Sequence, residues 1–266
     1  HSVVRRQRQM CIRDSVVSIV HTSPVTGMTV DLEKITKEVR NVTPDCIIIV
    51  DGIQHSSHGA IDVQKYDIDG YVVSPYKMFS RHGYGVAWAS ERLCSLNKEQ
   101  LADGPFQNWE LGTRDAGSYA TFSDVVDYLD WLGSNFTESE NTRERLEASS
   151  IAIKSHEQEL VDLVINGAED IVGLRNNKKI RIIGNSASTS REGVVSFFHK
   201  NKPSRIIVEE LRQRKIRVHI RKDDHYCGNI LRPLNQKDCI RFSICHYNSK
   251  AEVVEFMKAI NEISTN

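Results

Sequence analysis

Asp51 closes the apolar run CIIIVD, and Lys77 stands three residues past a second apolar run, GYVVS. A carboxylate and an amine delivered to neighbouring strand ends can do paired chemistry. The amine can condense with a carbonyl carbon as a Schiff base, and the acid can keep a ring nitrogen protonated. Pyridoxal phosphate (PLP) is a cofactor that needs both. The amine must be partly neutral to attack an aldehyde, which burial and a nearby cation such as Arg81 favour. Once released, the same nitrogen can act as general base on a substrate α-proton.

The elements that must position these groups follow from the pattern around them. VVSIVHT predicts a strand, SPVTGM a loop, and DLEKITKEVRN an amphipathic helix with Asp31 as its N-cap. The unbroken β-branched run of CIIIVD predicts a strand buried on both faces. GYVVS and GVAWAS predict short strands on either side of the lysine turn. Strands alternating with helices point to a mostly parallel α/β sheet, in which ligands bind beyond the carboxyl ends of the strands. Asp51 and Ser74 both fall at such ends.

Tyr119, Phe122, Val125, Val126, Leu129 and Leu132 recur at helical spacing. A long helical pattern then runs from about Arg143 to Val172. Beyond it, KIRIIG, VVSFFHK, IRVHIR and CIRFSIC are expected strands, with helices over Ser204–Lys215 and Ala251–Ile263, an α+β arrangement.

The 266 residues carry 35 basic and 35 acidic side chains, a balance that offers no polyelectrolyte argument for nucleic acid or anionic membrane. No apolar run approaches the length of a membrane-spanning helix. The six cysteines (Cys11, Cys46, Cys94, Cys227, Cys239, Cys245) form no C-x-x-C pair, which suits a reduced, cytoplasmic setting.

V-D-G-x-Q at Val50–Gln54, D-x-D-G-Y-x-x-S-x-x-K at Asp67–Lys77 and S-P-Y-K-x-F-S-R-H-G-Y-G at Ser74–Gly85 resemble the core of the class V aminotransferase family, in its cysteine desulfurase-like and selenocysteine lyase-like branch. The resemblance runs from about Val16 to the C-terminus. It implies the C-terminal part of a fold type I PLP-dependent transferase large domain, plus a smaller α+β domain. It also implies roles: Asp51 as partner of the pyridinium nitrogen, Gln54 near the ring phenolate oxygen, Lys77 as the Schiff-base lysine and Ser74 as a phosphate ligand. Tyr76 stands where desulfurases carry His, although kynureninase-like members also place Tyr before the lysine. Thr113, in E-L-G-T-R-D, matches a Gly-Thr turn that serves the phosphate site of the neighbouring subunit, which implies a homodimer with a shared active site. Arg241, in C-I-R-F-S-I-C-H-Y-N-S, matches an arginine that forks onto the carboxylate of a small amino-acid substrate.

Two local patterns are less decisive. His55 and His58 form an H-x-x-H pair on a loop with no third metal ligand in sight, and His55 is expected on the substrate side or the loop surface. The loop Arg221–Gly228 (RKDDHYCG) matches the place where desulfurases of this branch carry a nucleophilic Cys in R-x-G-H-H-C-A. An ungapped match puts Tyr226 at that position, and a one-residue shift restores Cys227. A lyase of the desulfurase type and an aminotransferase therefore both stand as readings, alongside a family member that keeps the fold without turnover. A plain nucleotide-binding domain would need a Gly-rich phosphate loop after a strand, and the sequence offers none.

Residues 1–14 (HSVVRRQRQMCIRD) are basic, abut a core-like strand and resemble translated sequencing adapter. They are expected to be non-native, with the chain an N-terminally truncated fragment. The expected organisation is thus 15–140 as a partial PLP-binding large domain and 141–266 as a linking helix and small domain.

Overall fold

A computed structural model describes residues 15–265 apart from 103, 105–108, 110, 114, 186 and 188–190. The expected non-native segment, 1–14, lies outside the described residues. The chain divides into two units: residues 1–21 with 30–149, and residues 22–29 with 150–266.

The first unit is built on a four-stranded sheet in the order β1 (Val16–Val20), β2 (Ile47–Asp51), β3 (Gly70–Val73), β4 (Val86–Ala89). β1, β2 and β3 run parallel, with Asp51 opposite Val20 on one side and Val72 on the other; β4 is antiparallel to β3. The apolar run of β2 is explained by its central place, where Ile48 and Val50 are fully buried. α1 (Leu32–Val42) crosses between β1 and β2, and Asp31 caps it as expected by accepting from the Lys34 amide at 3.0 Å. Ile19, Leu32, Ile48, Val50, Ile68, Tyr71 and Val73 form the core of this unit. A short α2 (Glu91–Cys94) follows β4, then α3 (Ala116–Gly133), and α4 (Thr142–Asn166) carries the chain from the first unit into the second.

The sequence pattern extends α4 to about Val172, but the helix ends at Asn166. Gly167 takes φ +84°, a left-handed conformation that closes helices readily only at glycine. The chain then folds back through β5 (Gly167–Ala168) and β6 (Ile171–Val172), and the Leu174 and Arg175 amides donate to the Val164 and Ile165 carbonyls, both at 3.0 Å. The apolar residues expected on a helix thus belong to a hairpin.

The second unit holds an antiparallel sheet ordered β7 (Ile180–Ile182), β8 (Val194–His199), β10 (Asp238–Ser243), β9 (His219–Lys222). α5 (Ser204–Gln213) and α7 (Lys250–Thr265) supply apolar faces to it, and a short α6 (Gly228–Leu231) precedes β10. Phe242 stacks on Phe256 at 3.9 Å between ring centres, with Phe197 beside them. Burying each such ring contributes about 2–3 kcal/mol. The segment 22–29 also belongs to this unit. It forms a tight loop in which Ser196 donates to the Val25 carbonyl and Gly27, at φ +73°, lies against the Val194 carbonyl. Buried Arg191 donates to the carbonyls of Thr26, Ile183 and Asn185. Burial lowers its pKa to about 10.

Candidate functional site

Parallel pairing of β2 and β3 sets Asp51 opposite Val72, so Asp51 and Ser74 emerge from the same edge of the sheet. Asp51 is half-buried, and its Oδ1 accepts from the Ile53 amide at 3.0 Å, which folds the chain back over the strand end. Gly52 lies so close to the Tyr71 ring that a Cβ there would sit 2.1 Å from Cε1, a spacing that leaves room only for glycine.

After Ser74 the chain enters a 3-10 turn, Pro75–Met78, whose proline occupies the first position and whose Lys77 amide donates to the Ser74 carbonyl at 3.0 Å. Phe79 closes this turn at φ +72°, an uncommon conformation for a bulky residue that marks local strain beside Lys77. The turn aims Lys77 at the Asp51–Gln54 segment: Nζ donates to Gln54 Oε1 at 3.0 Å. Gln54 Nε2 lies 3.0 Å from Nε2 of buried His58. The structure thus joins Lys77 and Gln54 directly and sets Asp51 and Ser74 at the same sheet edge.

The lysine turn is held from its far side by the start of α3. Ser80 Oγ donates to Thr121 Oγ1 at 3.0 Å and meets the Tyr84 hydroxyl. Arg81 donates to Asp115, the N-cap of α3, and to Ser118. The Ser118 hydroxyl, then burial in opposition, then Arg81 leave the Asp115 carboxyl below its ordinary range. Thr113 is exposed and lies two residues ahead of Asp115. Tyr76 is also exposed, with its ring stacked on His82 at 4.3 Å.

Sequence reasoning missed the aromatic layer beneath the site. His21 directly follows β1 and stacks on His55 at 3.7 Å, while its Nδ1 lies 2.8 Å from the Tyr71 hydroxyl. Burial first, then the neighbouring His55, push the pKa of His21 down to about 3. His55 is 7 % exposed and therefore belongs to this layer rather than to a loop surface. The available signal was position: His21 ends a parallel strand on the same edge as Asp51.

In the second unit, Arg241 sits in β10 between Ser196 and His219, and its Nη1 donates to the Pro24 carbonyl at 3.0 Å. A guanidinium has five N–H donors, so this bond orients the group without exhausting it. In the Arg221–Gly228 loop, Asp224 Oδ1 accepts from the amides of Tyr226 and Cys227 at 2.9 and 3.0 Å. The turn points Tyr226 outward (72 % exposed) and buries Cys227 completely among Val25, Ile183, Phe198, Leu231 and Cys239. Burial, followed by the nearby Cys227, raises the Cys239 thiol to about 12. Burial and Glu157 raise Cys245 to about 11.

Among the described residues no group of three or more His, Cys, Asp or Glu side chains is disposed to hold a metal ion. No helix of the described residues is long and apolar enough to cross a membrane.

The chain is similar to known proteins. An aminotransferase-like protein of Gibberella zeae is 26% identical over 257 residues, covering 93% of this chain and 59% of that protein. A probable cysteine desulfurase of Mycobacterium leprae is 24% identical over 264 residues, covering 92% and 56%. Among solved structures, the apo cysteine desulfurase of Thermococcus onnurineus superposes with a TM-score of 0.74 at 20% identity, covering 94% of this chain and 60% of that one. The Escherichia coli cysteine desulfurase CsdA gives 0.73 at 20% identity, with 98% and 61% covered. The chain therefore spans less than two thirds of the length of these relatives, and it shares with the two structures the α/β fold expected of fold type I, with its mostly parallel sheet. The aminotransferase class-V family model matches residues 7–256, and the chain belongs to that family.

Proposed function

We propose that this chain carries the cofactor-holding part of a PLP-dependent enzyme that acts on a small amino acid, with Lys77 as the point of covalent attachment. The observation that carries the reading is the 3.0 Å contact between Lys77 Nζ and Gln54 Oε1, at the strand edge where Asp51 emerges. An amine, an amide and a carboxylate on adjacent strand ends are the donor set that an aldehyde-bearing pyridinium requires. When bound, PLP supplies an electron sink for charge developing beside the substrate amino group.

The chain's own groups then have distinct tasks. Asp51 keeps a proton on the ring nitrogen through its carboxylate. Gln54 would offer its amide to the ring's phenolate side, and Ser74 with the turn that follows would hold the phosphate. Tyr76 stands beside the attachment lysine. Lys77 Nζ would act as the base that takes the substrate α-proton. Arg241 orients the substrate carboxylate, and Thr113 serves the phosphate site of a second copy in a homodimer.

Within this class the buried thiol of Cys227 favours a lyase or aminotransferase reaction that does not use it as nucleophile. Persulfide formation needs a sulfur in line with the substrate sulfur, and a side chain fully buried in an apolar cluster is out of a substrate's reach. The test is covalent mapping. Mixing the protein with PLP and reducing with borohydride is expected to leave a pyridoxyl adduct on Lys77, located by mass spectrometry. An adduct on any other lysine overturns the assignment.

A further inference from the structure

His58 is absent from the roles assigned so far, yet it is 3 % exposed and touches the amide that touches Lys77. With Lys77 as an ammonium, the hydrogen bonds along this row of three side chains fix one orientation of the Gln54 amide. A lysine ammonium has three donors and no acceptor, so the Gln54 atom facing it must be the carbonyl oxygen. The other end of the amide, Nε2, is then a donor only. It points at His58 Nε2 at 3.0 Å, which must accept. A histidine that accepts at Nε2 is neutral and carries its proton on Nδ1.

From this geometry we infer that His58 is a positioning residue for Lys77: in its Nδ1–H form it pins the Gln54 amide so that the carbonyl faces the ammonium. A carbonyl held against an ammonium favours the charged amine. The row therefore holds the Lys77 Nζ aimed at the Gln54 carbonyl, and rotation of the Gln54 amide is what frees it. An amide not pinned by His58 would turn either way, and its N–H end gives an ammonium nothing to donate to. Among the described residues, the other polar and titratable groups near this row include Asp51, His21, His55, Tyr66 and Tyr71. His21 and Tyr71 bond each other, His55 Nε2 lies 3.1 Å from the Ala60 carbonyl, and Asp51 Oδ1 is taken by the Ile53 amide. The functional meaning of this device rests on Lys77 being the attachment lysine; the geometry itself does not.

Two measurements on the cofactor-free protein test the inference. Long-range proton–nitrogen correlation of the His58 ring at neutral pH is expected to show the proton on Nδ1. Competitive acetylation of Lys77 across pH, read by mass spectrometry, is expected to give a half-labelling pH about one unit lower in His58→Phe, the loss of part of a charged hydrogen bond. Gln54→Leu should give the same fall. His58→Gln, which again offers a carbonyl to the Gln54 N–H, should restore the wild-type profile. A proton on Nε2, or a Lys77 profile unmoved in both His58→Phe and Gln54→Leu, overturns the proposal. A pyridoxyl adduct on another lysine would sink the attachment reading and leave these two results as they stand, so the failures are distinguishable.

Discussion

Asp69→Asn tests whether the strand-end site depends on an ion-pair knot at the opposite end of the same sheet. Asp69 immediately precedes β3, with a side chain 4% exposed. Its Oδ2 accepts from Arg40 Nη2 at 3.0 Å, from Arg92 Nη2 at 2.5 Å and from the Ile48 amide at 2.8 Å. Its Oδ1 accepts from Arg92 Nε at 2.8 Å and from Ser90 Oγ at 3.2 Å. Burial pushes this carboxyl up; the bonds from Arg92, the Ile48 amide and Arg40 overrule it and hold the pKa at about 2, against an ordinary 3.8. At about 1.36 kcal/mol per pH unit, that gap corresponds to roughly 2.5 kcal/mol. Because the folded value lies below the unfolded one, the contribution is fully present above the unfolded pKa and is lost as pH falls toward 2. Asparagine would turn one acceptor into a donor facing an arginine. The expected loss at pH 7 is about 3 kcal/mol, the low end for breaking a buried pair, since Arg92 is itself 39% exposed. Urea unfolding followed by circular dichroism at pH 7 and pH 3 measures both effects. The gap between variant and wild type should be largest at pH 7 and about 1 kcal/mol smaller at pH 3, where the folded carboxylate is still mostly ionised. A loss under about 1 kcal/mol at pH 7, or parallel acid destabilisation of variant and wild type, would refute the reasoning.

Local signals made much of the sheet legible. The IIIV run of β2 could only be a strand covered on both faces, and Asp31 announced the start of α1 before any packing was known. Asp51 and Ser74 were legible as neighbours because parallel strands end on one edge. What stayed hidden was whatever depends on chain separation or on one backbone angle. His21, His55 and Tyr71 meet from three different strands and turns, and nothing in a histidine's flanking residues says that another ring lies 3.7 Å away. The break after Asn166 depends on Gly167 adopting φ +84° inside an otherwise helical pattern of apolar residues. A glycine there is compatible with a tolerated helix position, so periodicity alone ran through it. Cys227 was ambiguous for a related reason. Its burial is set by Asp224 capping two successive amides and by Val25 arriving from a distant loop, neither of which an aligned motif contains.

Three further outcomes follow from close contacts and burial. Gly133→Ala would place a Cβ 1.9 Å from the Arg145 carbonyl where α3 meets α4, so a loss of about 1–3 kcal/mol in thermal unfolding is expected, and an unchanged midpoint would contradict the packing. Gly27→Ala meets the Val194 carbonyl at 2.2 Å as well as a left-handed φ, and should lower the melting midpoint more than Gly83→Ala in the first unit, where φ is +103° but a Cβ meets nothing within 4 Å. The last concerns the Arg221–Gly228 loop, where two adjacent side chains have opposite fates. Cys227 is fully buried, so alkylation must wait for an opening of the apolar cluster, and native-state labelling is expected at least about tenfold slower than at half-buried Cys94. Cys227→Ala should therefore cost about 1–2 kcal/mol of stability while leaving any turnover of the proposed reaction within about twofold. Tyr226 occupies the outward position of the same turn, so Tyr226→Cys should present a thiol that labels like a free cysteine. If sulfur chemistry is latent in this fold, it should appear in Tyr226→Cys, assayed with cysteine and an added thiol reductant that frees the transferred sulfur as sulfide, and be absent from wild type. Sulfide release by the wild type that Cys227→Ala abolishes, with cofactor binding intact, would instead make the buried thiol the nucleophile and require the loop to open during each turnover.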